Sequence, residues 1–459
     1  MRRPESGKTG EDSISSPFSY SSPVTLITAP LVLPITTPPL REGALVLSKK
    51  GMILDCGPWR EVRARFPKVP EQRYEAVLVP GFINTHCHLE LSHLRGQLRP
   101  GGGLPSFVRQ VMELRNVDPQ RIEQGIQEAL QELRQEGVVG LVDIGNTGRS
   151  LPFFRESGLR GLFLLELIKF DPQAAERIFK EGKAFLNREK IQKTRDLETQ
   201  GPGEGVTRRP GEIGDIIPQE NLLAFRTQIT TGLTGHAIYS CSEPLLQKVA
   251  AYALETRTPL SLHLLENPEE RMLIEEGRGF FADYLRQLGY SLDNWRPPKI
   301  SSVFYAERCL GFENRRLYVH LIYIREDELQ HLATQPNTFI ALCPKSNLFV
   351  EGRLPPIDQM AAIHPNITLG TDSLASNDRL SILDELKTIQ HAFPHLSSAI
   401  LIQWATLNGA RYLGLEKILG SLTPGLFPGI LAIFTPQRNP ENFLAVEDLS
   451  LKIITPETQ

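Results

Sequence analysis

Short apolar runs alternate with longer amphipathic stretches through most of this chain. The runs between residues 81 and 415 include GFINTH, GLVDIG, GLFLLELI, GLTGHAIYS, PLSLHLLE, LYVHLI, TFIALCP and ITLGTD. Repeated strand–helix units of this kind predict an α/β fold with a parallel sheet and helices outside it. About eight such units fit between residues 81 and 415, which is the length that a (β/α)8 TIM-type barrel needs.

The two ends of the chain follow a different pattern. Residues 23–80 and 416–459 contain short β-branched runs interrupted by Pro and Gly, and we expect both segments to form one small β-sandwich domain. Residues 1–22 are polar and rich in Ser, which predicts a disordered tail. Residues 183–220 combine Gly, Pro and mixed charges, and we expect a flexible insertion in the barrel there.

Composition narrows the class of protein. The chain has 459 residues, of which 41% are hydrophobic and 22% are charged, and its formal net charge is −3. This balance offers no basic surface for nucleic acid or for a membrane, and no run of about 18 apolar residues predicts a membrane span. The five cysteines include no Cys-x-x-Cys pair, so we expect a cytoplasmic protein without disulfides.

The first chemical signal is the pair of histidines in PGFINTHCH. His86 and His88 stand two residues apart at the end of an apolar run. Because side chains alternate along a strand, both imidazoles point to one face. In a barrel that face is the interior, and active sites form at the carboxyl ends of the strands. The pair predicts two ligands of one metal ion, with two polar residues in an exposed turn as the alternative.

A third histidine and two carboxylates occupy similar positions. His263 follows the apolar run PLSL, and Glu266 comes three residues later. A carboxylate just beyond a strand can take a proton from an activated water and deliver it to a substrate. Asp372 follows ITLGT, where an unpaired buried carboxylate would be costly and metal ligation would satisfy it. A helix N-cap is the alternative for Asp372.

Histidines recur at or near the ends of the predicted strands. Five of the ten histidines in the chain have this placement, namely His86, His88, His236, His263 and His320. Random placement would distribute them over loops and helices. Three histidines and one carboxylate leave an open coordination position on zinc, as a catalytic site requires. The pattern therefore favours a catalytic metal centre over isolated core histidines.

These motifs, taken in order, resemble the amidohydrolase superfamily, in its branch of chlorohydrolases and nucleobase or nucleoside deaminases. The resemblance covers the chain from residue 23 onward and rests on PGFINTHCH, HLLE, the strand ending in His320 and GTDSLASN. It implies one divalent metal ion, with zinc favoured and iron, manganese or nickel as alternatives. The implied metal ligands are His86, His88, His263 and Asp372.

The resemblance also implies catalytic roles and partners. Glu266 would be the proton shuttle, and Asp372 would help to deliver a proton to departing ammonia. His320 would contact the hydrolytic water or the attacked centre, and His236 would face the substrate. The expected partner is a small-molecule substrate, without nucleic acid or membrane, and the family resemblance suggests a homo-oligomer.

The substrate is less sharply defined. HLELSHLRG, CPKSNLFVEGRLPP and LGTDSLASNDRLSILDEL resemble aminodeoxyfutalosine deaminases of menaquinone biosynthesis. Deaminases of S-adenosylhomocysteine or adenosine, and hydrolases of cyclic amides or chlorotriazines, stay open as alternatives. Glu90 and Ser92 are predicted substrate-binding residues, with a turn and a helix cap as the alternative. Candidates for binding a substrate carboxylate are Arg95, Arg271 and Arg379.

A single metal ion is favoured over two. Binuclear branches of the superfamily bridge two ions with a carboxylated lysine or a glutamate on a middle strand, and Lys169 in LLELIKFDP is the lysine nearest to such a position. A surface or loop location is the favoured interpretation of Lys169. A non-catalytic structural barrel that has lost its metal is the alternative from another class, and the complete set of predicted ligands argues against it.

Overall fold

The structure, a computed structural model, describes residues 24–199, 229–293 and 295–455. The predicted tail at residues 1–22 and residues 200–220 of the predicted insertion lie outside the described residues. Residues 183–199, by contrast, belong to the helix Ala175–Thr199, so this part of the predicted insertion is helical. The physical reason is that residues 183–199 contain neither Gly nor Pro, the two residues that interrupt helices most strongly.

Fifteen strands are present in the described parts of the chain. They are β1 Val24–Val32, β2 Leu40–Ser48, β3 Ile53–Pro58, β4 Glu71–Arg73, β5 Val77–Pro80, β6 Phe82–Cys87, β7 Val138–Gly145, β8 Arg160–Leu167, β9 Ile229–Gly235, β10 Leu260–Leu264, β11 Arg316–His320, β12 Thr338–Leu342, β13 Ile367–Leu369, β14 Ile430–Phe434 and β15 Ser450–Ile454.

The middle of the chain is α/β, with eight parallel strands in two four-stranded sheets. Their orders are β6-β7-β8-β9 and β10-β11-β12-β13, and neighbouring strands pair in parallel. Isolated parallel bridges join the sheets at both edges, one between Ala237 and His263 and one between Cys87 and Asp372. The eight predicted apolar runs correspond to these eight strands.

Strands from both ends of the chain lie together in one sheet of seven strands. Its order is β15-β14-β5-β1-β2-β3, and β4 pairs with β1. Ile27 and Leu45 from the first end share a hydrophobic cluster with Ile430 and Ile454 from the second. The two ends therefore stabilise each other, while the predicted sandwich form of this domain stays a prediction.

Helices follow most of the parallel strands. The α-helices of the described residues are Trp59–Arg65, Gly103–Leu114, Pro119–Gln135, Ser150–Glu156, Ala175–Thr199, Glu243–Thr256, Glu269–Arg271, Phe280–Gln287, Ser302–Leu310, Glu326–Thr334, Pro344–Glu351, Ile357–Ile363, Ile382–Ala392, Ser398–Gln403 and Gly409–Leu413. Short 3₁₀ segments are Leu89–Leu94, Pro172–Ala174 and Phe443–Ala445, and π-helical turns are Met272–Glu276 and Trp404–Asn408. Among these helices, none is long and apolar enough to cross a membrane.

The parallel strands are apolar because both of their faces are covered. In β8, the seven residues after Arg160 are all buried, as expected for a strand between a core and surrounding helices. Val142, Leu164 and Leu317 belong to one buried cluster between strands of the two sheets. Polar side chains at the carboxyl ends of these strands are thus held by a rigid apolar scaffold.

A close approach between two strands fixes one glycine. Gly161 in β8 has φ +150°, and a Cβ there would lie 1.8 Å from the carbonyl oxygen of Leu141 in β7. Because that oxygen belongs to the neighbouring backbone, a side chain at residue 161 cannot be accommodated by a rotamer change.

We expect Gly161→Ala to lower the free energy of unfolding by about 4 kcal/mol or more, the range of severe core disruptions. Gly158→Ala is the control, since Gly158 has φ +80° with no atom within 4 Å of its would-be Cβ, and backbone strain alone costs about 1 kcal/mol. Thermal unfolding of both purified variants checks this. Equal unfolding midpoints would contradict the steric argument.

Candidate active site

The predicted site residues meet at the carboxyl ends of the parallel strands. His86 lies in β6 and His88 directly follows this strand. His263 lies in β10, and His320 is the last residue of β11. Asp372 comes three residues after β13. All five side chains are buried, so residues far apart in sequence form one enclosed polar group.

Three imidazole nitrogens face one another at short distances. The Nε2 atom of His88 lies 3.2 Å from Nε2 of His86 and 3.3 Å from Nε2 of His263. The Nε2 atoms of His263 and His86 are also 3.2 Å apart. Oδ1 of Asp372 lies 3.8 Å from Nε2 of His86 and 3.7 Å from Nε2 of His88. We call these four side chains the four-ligand cluster.

The outer nitrogens of two of these rings are already engaged. Nδ1 of His88 lies 3.0 Å from the carbonyl oxygen of Ile144, and Nδ1 of His263 lies 2.9 Å from that of His236. A carbonyl oxygen can only accept, so each Nδ1 carries the hydrogen and each Nε2 presents a lone pair. Burial lowers the pKa of His263 to about 3, which keeps the ring neutral and its lone pair free.

Lone pairs that face one another need a cation between them. Zinc–nitrogen bonds of about 2.05 Å at tetrahedral angles place ligand nitrogens about 3.3 Å apart. The observed Nε2 separations of 3.2, 3.2 and 3.3 Å match this value. Two triads here each bring their ligand atoms within 4.8 Å of one another: His86, His88 and Asp372, and His86, His263 and His320. The residues present therefore fit a divalent metal ion.

The carboxylate of Asp372 is held by two serine hydroxyls. Its Oδ2 accepts hydrogen bonds from Oγ of Ser346 at 2.6 Å and from Oγ of Ser376 at 3.0 Å. Oδ1 is left to face the histidines. The backbone of Asp372 has φ +55°, a conformation that costs energy for a residue other than glycine. The serines and the strain together fix which oxygen points into the site.

Glu266 is positioned by a second buried carboxyl group. Oε1 of Glu270 accepts a hydrogen bond from the backbone N–H of Glu266 at 2.8 Å, and Oε2 accepts one from Leu265 at 3.0 Å. Burial, reinforced by the negative charges of Asp372 and Glu351, raises the pKa of Glu266 well above its usual value. Glu266 therefore retains a proton more readily than an exposed carboxyl group does.

His320 has its ring orientation set by an amide. Its Nδ1 lies 2.8 Å from Oδ1 of Asn347, so Nδ1 donates and Nε2 is free to accept. This Nε2 lies 3.8 Å from Oε2 of Glu266. Burial lowers the pKa of His320, and its backbone has φ +75°. A neutral imidazole with an available lone pair thus faces the same space as Glu266.

A cavity of about 340 Å³ opens onto the four-ligand cluster. Its outer walls are mostly apolar and aromatic, with Phe107, Phe170, Phe281, Tyr284 and Tyr290 among the lining side chains. The polar lining includes His236, whose Nδ1 lies 2.7 Å from Oγ of Ser240. The cavity has the size and the apolar character of a small-molecule site with a few polar groups.

The polar lining residues that were not singled out from the sequence include Asn146, Glu166 and Arg115. Glu166 is near the end of β8, so the strand-end rule that identified the histidines could have found it. Asn146 directly follows β7 and fits the same rule. Arg115 directly follows the helix Gly103–Leu114, and no local pattern connects it with the strands.

The arginines proposed to bind a substrate carboxylate are paired with carboxylates outside the cavity. Arg95 pairs with Glu132, Arg271 with Glu328, and Arg379 with Glu136. None of these three arginines lines the cavity. The ammonium group of Lys169 lies 5.2 Å from the ring centre of Tyr290.

Glu90 and Ser92, the predicted substrate-binding pair, are buried but do not line the cavity. Oε2 of Glu90 accepts hydrogen bonds from the backbone N–H groups of Asn146 and Thr147, both at 3.0 Å, and Oε1 accepts one from Arg149 at 2.9 Å. These contacts match the structural alternative, in which Glu90 holds a turn.

Titratable side chains around a cavity, at the carboxyl ends of parallel strands, define an enzyme of the α/β class. The particular family follows from the sequence: the profile of the Amidohydrolase family matches residues 77–443. The chain belongs to the Amidohydrolase family.

Relatives with named activities match over most of their length. The chain is 27% identical to 5-methylthioadenosine/S-adenosylhomocysteine deaminase 1 of Syntrophus aciditrophicus, over 90% of this chain and 85% of the relative. It is 25% identical to the aminodeoxyfutalosine deaminase of Deinococcus radiodurans, over 80% and 79% of the two chains. The crystal structure of Helicobacter pylori aminofutalosine deaminase with methylthio-coformycin superposes with a TM-score of 0.71 at 23% identity, covering 90% and 93%. This superposition shows a shared fold.

Stability measurements distinguish the two interpretations of Glu90. We expect Glu90→Ala to lower the free energy of unfolding by about 3 kcal/mol, because three backbone donors lose their acceptor. Glu90→Gln keeps one acceptor oxygen and should lose less. Glu128→Ala, on an exposed helix position, is the control for loss of a glutamate. An unchanged unfolding midpoint with an increased KM would instead support substrate binding by Glu90.

Proposed function

We propose that this chain is a metal-dependent hydrolase that deaminates a 6-aminopurine nucleoside, with aminodeoxyfutalosine, an intermediate of menaquinone biosynthesis, as the favoured substrate. The observation that carries the proposal is the meeting of the Nε2 atoms of His86, His88 and His263 with Glu266 and His320 beside one cavity. The activities named for the Syntrophus and Deinococcus relatives support this substrate class. Deaminases of S-adenosylhomocysteine or adenosine are the nearest alternatives.

The proposed architecture is a closed (β/α)8 barrel at residues 81–415, with residues 23–80 and 416–459 as a separate β domain. Closure is supported by the two bridges that join the four-stranded sheets at their edges. It is also supported by amide hydrogen bonds from Thr371 and Asp372 to the carbonyl oxygen of His86. In such a barrel, catalytic residues come from the ends of several strands.

The proposed metal ligands are His86, His88, His263 and Asp372, and the proposed stoichiometry is one divalent ion per chain. Zinc is favoured because the three Nε2 separations match those of tetrahedral coordination and the donors are nitrogen and oxygen; iron, manganese and nickel also accept this donor set. When bound, the ion supplies Lewis acidity that makes a water nucleophilic near neutral pH.

The remaining chemistry is assigned to groups of the protein. Glu266, whose pKa burial raises, holds a proton that it donates to the ring nitrogen beside the attacked carbon. Protonation of that ring nitrogen reduces the aromatic stabilisation of the heterocycle and makes the neighbouring carbon easier to attack. One proton of the attacking water restores the proton on Glu266, and Asp372 assists transfer of the other to the amino group, which then leaves as ammonia. Both carboxyl groups line the same cavity, and the charge of Asp372 contributes to the raised pKa of Glu266.

Two histidines orient the reactants. His320, fixed by Asn347, presents Nε2 as an acceptor for the attacking water or for the developing tetrahedral centre. His236 lines the cavity beside Ser240 and is assigned to the heterocycle. Burial lowers the pKa of His236 to about 3, so it acts as a neutral hydrogen-bonding group.

The outer part of the cavity is suited to a nucleoside that carries a large 5′ substituent. Its walls are aromatic, and Arg115 is the one Lys or Arg among the described lining residues. No ion pair links Arg115 to a described carboxylate. A substrate whose 5′ substituent ends in a carboxylate, as in aminodeoxyfutalosine and S-adenosylhomocysteine, would supply the missing partner.

An ammonia-release assay on protein of known metal content tests the proposed function. The panel contains aminodeoxyfutalosine, S-adenosylhomocysteine, methylthioadenosine and adenosine. Release that is fastest from aminodeoxyfutalosine, with one metal ion per chain, is the expected result. Faster ammonia release from another member of the panel would change the proposed substrate and leave the proposed reaction unchanged. No release from metal-loaded protein overturns the deaminase proposal in favour of amide or chlorotriazine hydrolysis, and a chain without metal favours a structural barrel.

We expect Glu266→Gln to lower kcat by about 10³-fold or more, because the amide cannot carry the transferred proton. Metal content should equal that of the wild type, since Glu266 is not among the proposed ligands. Elemental analysis and ammonia release on the same preparation check both statements. His263→Ala is the contrasting variant, in which the metal content itself should fall. Turnover retained by Glu266→Gln would remove Glu266 from the mechanism.

Arg115→Met should increase KM for a nucleoside with a 5′ carboxylate by about tenfold, equivalent to about 1.4 kcal/mol. The KM for adenosine, which has no carboxylate, should stay unchanged. Arg109→Met is the matched control, because Arg109 lies over the ring of Phe280 and does not line the cavity. Equal effects of Arg115→Met on both substrates would show that Arg115 does not contact the carboxylate.

A further inference from the structure

A buried glutamate in the cavity has one oxygen without a partner. Glu166 is 5% exposed and lines the cavity. Its Oε2 accepts a hydrogen bond from Nδ2 of Asn146 at 2.8 Å. Its Oε1 has no hydrogen-bond partner among the described residues. A buried carboxyl oxygen left without a donor is costly, so its position points to a ligand that brings the donor.

The nearest histidine does not supply that donor. Oε1 of Glu166 lies 3.7 Å from Nδ1 of His263, beyond hydrogen-bond distance. The hydrogen on that Nδ1 is already directed to the carbonyl oxygen of His236 at 2.9 Å. The protein therefore supplies no donor to this oxygen, and the side chain that carries it lines the cavity.

The location of Glu166 relative to the metal ligands limits what it can contact. Glu166 lies next to Nδ1 of His263, whereas the opposite nitrogen of that ring, Nε2, faces the four-ligand cluster. The substrate group that Glu166 contacts is therefore separated from the reacting carbon by about the width of the His263 ring. It must also be a hydrogen-bond donor, because a carboxylate only accepts.

A 6-aminopurine nucleoside has few donors that meet both conditions. Its amino group is attached to the reacting carbon, and its unsubstituted ring nitrogens are acceptors. The sugar hydroxyls are the remaining donors, and the sugar is attached on the imidazole side of the purine, away from the amino group. The vicinal 2′ and 3′ hydroxyls of ribose can donate side by side to one carboxylate.

We propose that Glu166, oriented by Asn146, is the residue that accepts hydrogen bonds from the 2′ and 3′ hydroxyls of a ribonucleoside and so selects ribose over deoxyribose. This inference rests on the proposed deaminase function and names the part of the substrate that this carboxylate recognises. A site that hydrogen-bonds a substrate hydroxyl strongly rejects an analogue without it, because the buried acceptor is then left unpaired.

A second cation is the competing explanation for this carboxylate. Glu166, His236 and His263 lie close enough together to hold one. The Nδ1 atom of His263, however, carries the hydrogen that it donates to His236, so it offers no lone pair on this side. The remaining two ligand atoms, one from Glu166 and one from His236, make a poor site for a divalent ion. The ribose explanation is therefore favoured.

The test compares the metal-loaded full chain with Glu166→Gln, a substitution that keeps the shape of the side chain. The probes are adenosine, 2′-deoxyadenosine and 3′-deoxyadenosine, each as a substrate and as a competitor of the best nucleoside in the panel. The wild type should prefer adenosine by about 50-fold or more in kcat/KM or in inhibition constant. In Glu166→Gln this preference should fall to about threefold, with metal content unchanged. Glu128→Gln, at an exposed helix position, should behave as the wild type.

The outcomes separate this proposal from the proposed function. Equal use of adenosine and both deoxy analogues by the wild type would overturn the role of Glu166 and leave the deaminase reaction intact. Loss of a metal ion in Glu166→Gln, from a wild type with two ions per chain, would overturn it in favour of a second cation. Ammonia release from no nucleoside would overturn the proposed function and this inference with it.

Discussion

Repulsion between facing lone pairs is the constraint on which this site depends. Carbonyl oxygens hold the outer nitrogens of His88 and His263 as donors, so the inner nitrogens converge as bare acceptors about 3.3 Å apart. Without a cation this arrangement is unfavourable, and the apolar scaffold of buried parallel strands maintains it. The free energy of folding thus contributes to preorganising a metal site.

Contacts at the edge where β6 meets the segment after β13 support this arrangement. Nδ2 of Asn84 donates to Oγ1 of Thr371 at 2.7 Å, next to Asp372. A Cβ at Gly370 would lie 2.7 Å from the Cβ of His86, so only glycine allows β6 and the segment after β13 to approach so closely. The last strand of the series is thereby set against the first, and the ligands from the two strands keep a fixed separation.

Much of the site could be predicted from one rule, that polar residues ending apolar runs meet at one edge of a parallel sheet. The rule placed all five strand-end histidines together, and it applies equally to Glu166, which no recognisable motif marked. The contacts of Glu90 depend on backbone groups of another loop, which local sequence does not encode. The Gly, Pro and mixed charges of residues 183–220 taken together suggested a flexible insertion, whereas residues 183–199 contain neither Gly nor Pro and are helical.

The turn that follows His86 and His88 is connected to the wall of the cavity by hydrogen bonds. Oε2 of Glu90 accepts the backbone N–H of Asn146, and Nδ2 of Asn146 donates to Glu166. The segment that provides His86 and His88 therefore shares one hydrogen-bonded chain with a carboxylate of the cavity wall. As a result, the loop after β7 and the turn that carries Glu90 depend on each other: replacing that loop by one that evolved with a different residue at position 90 would disturb both the proposed sugar contact of Glu166 and the segment of the proposed metal ligands His86 and His88.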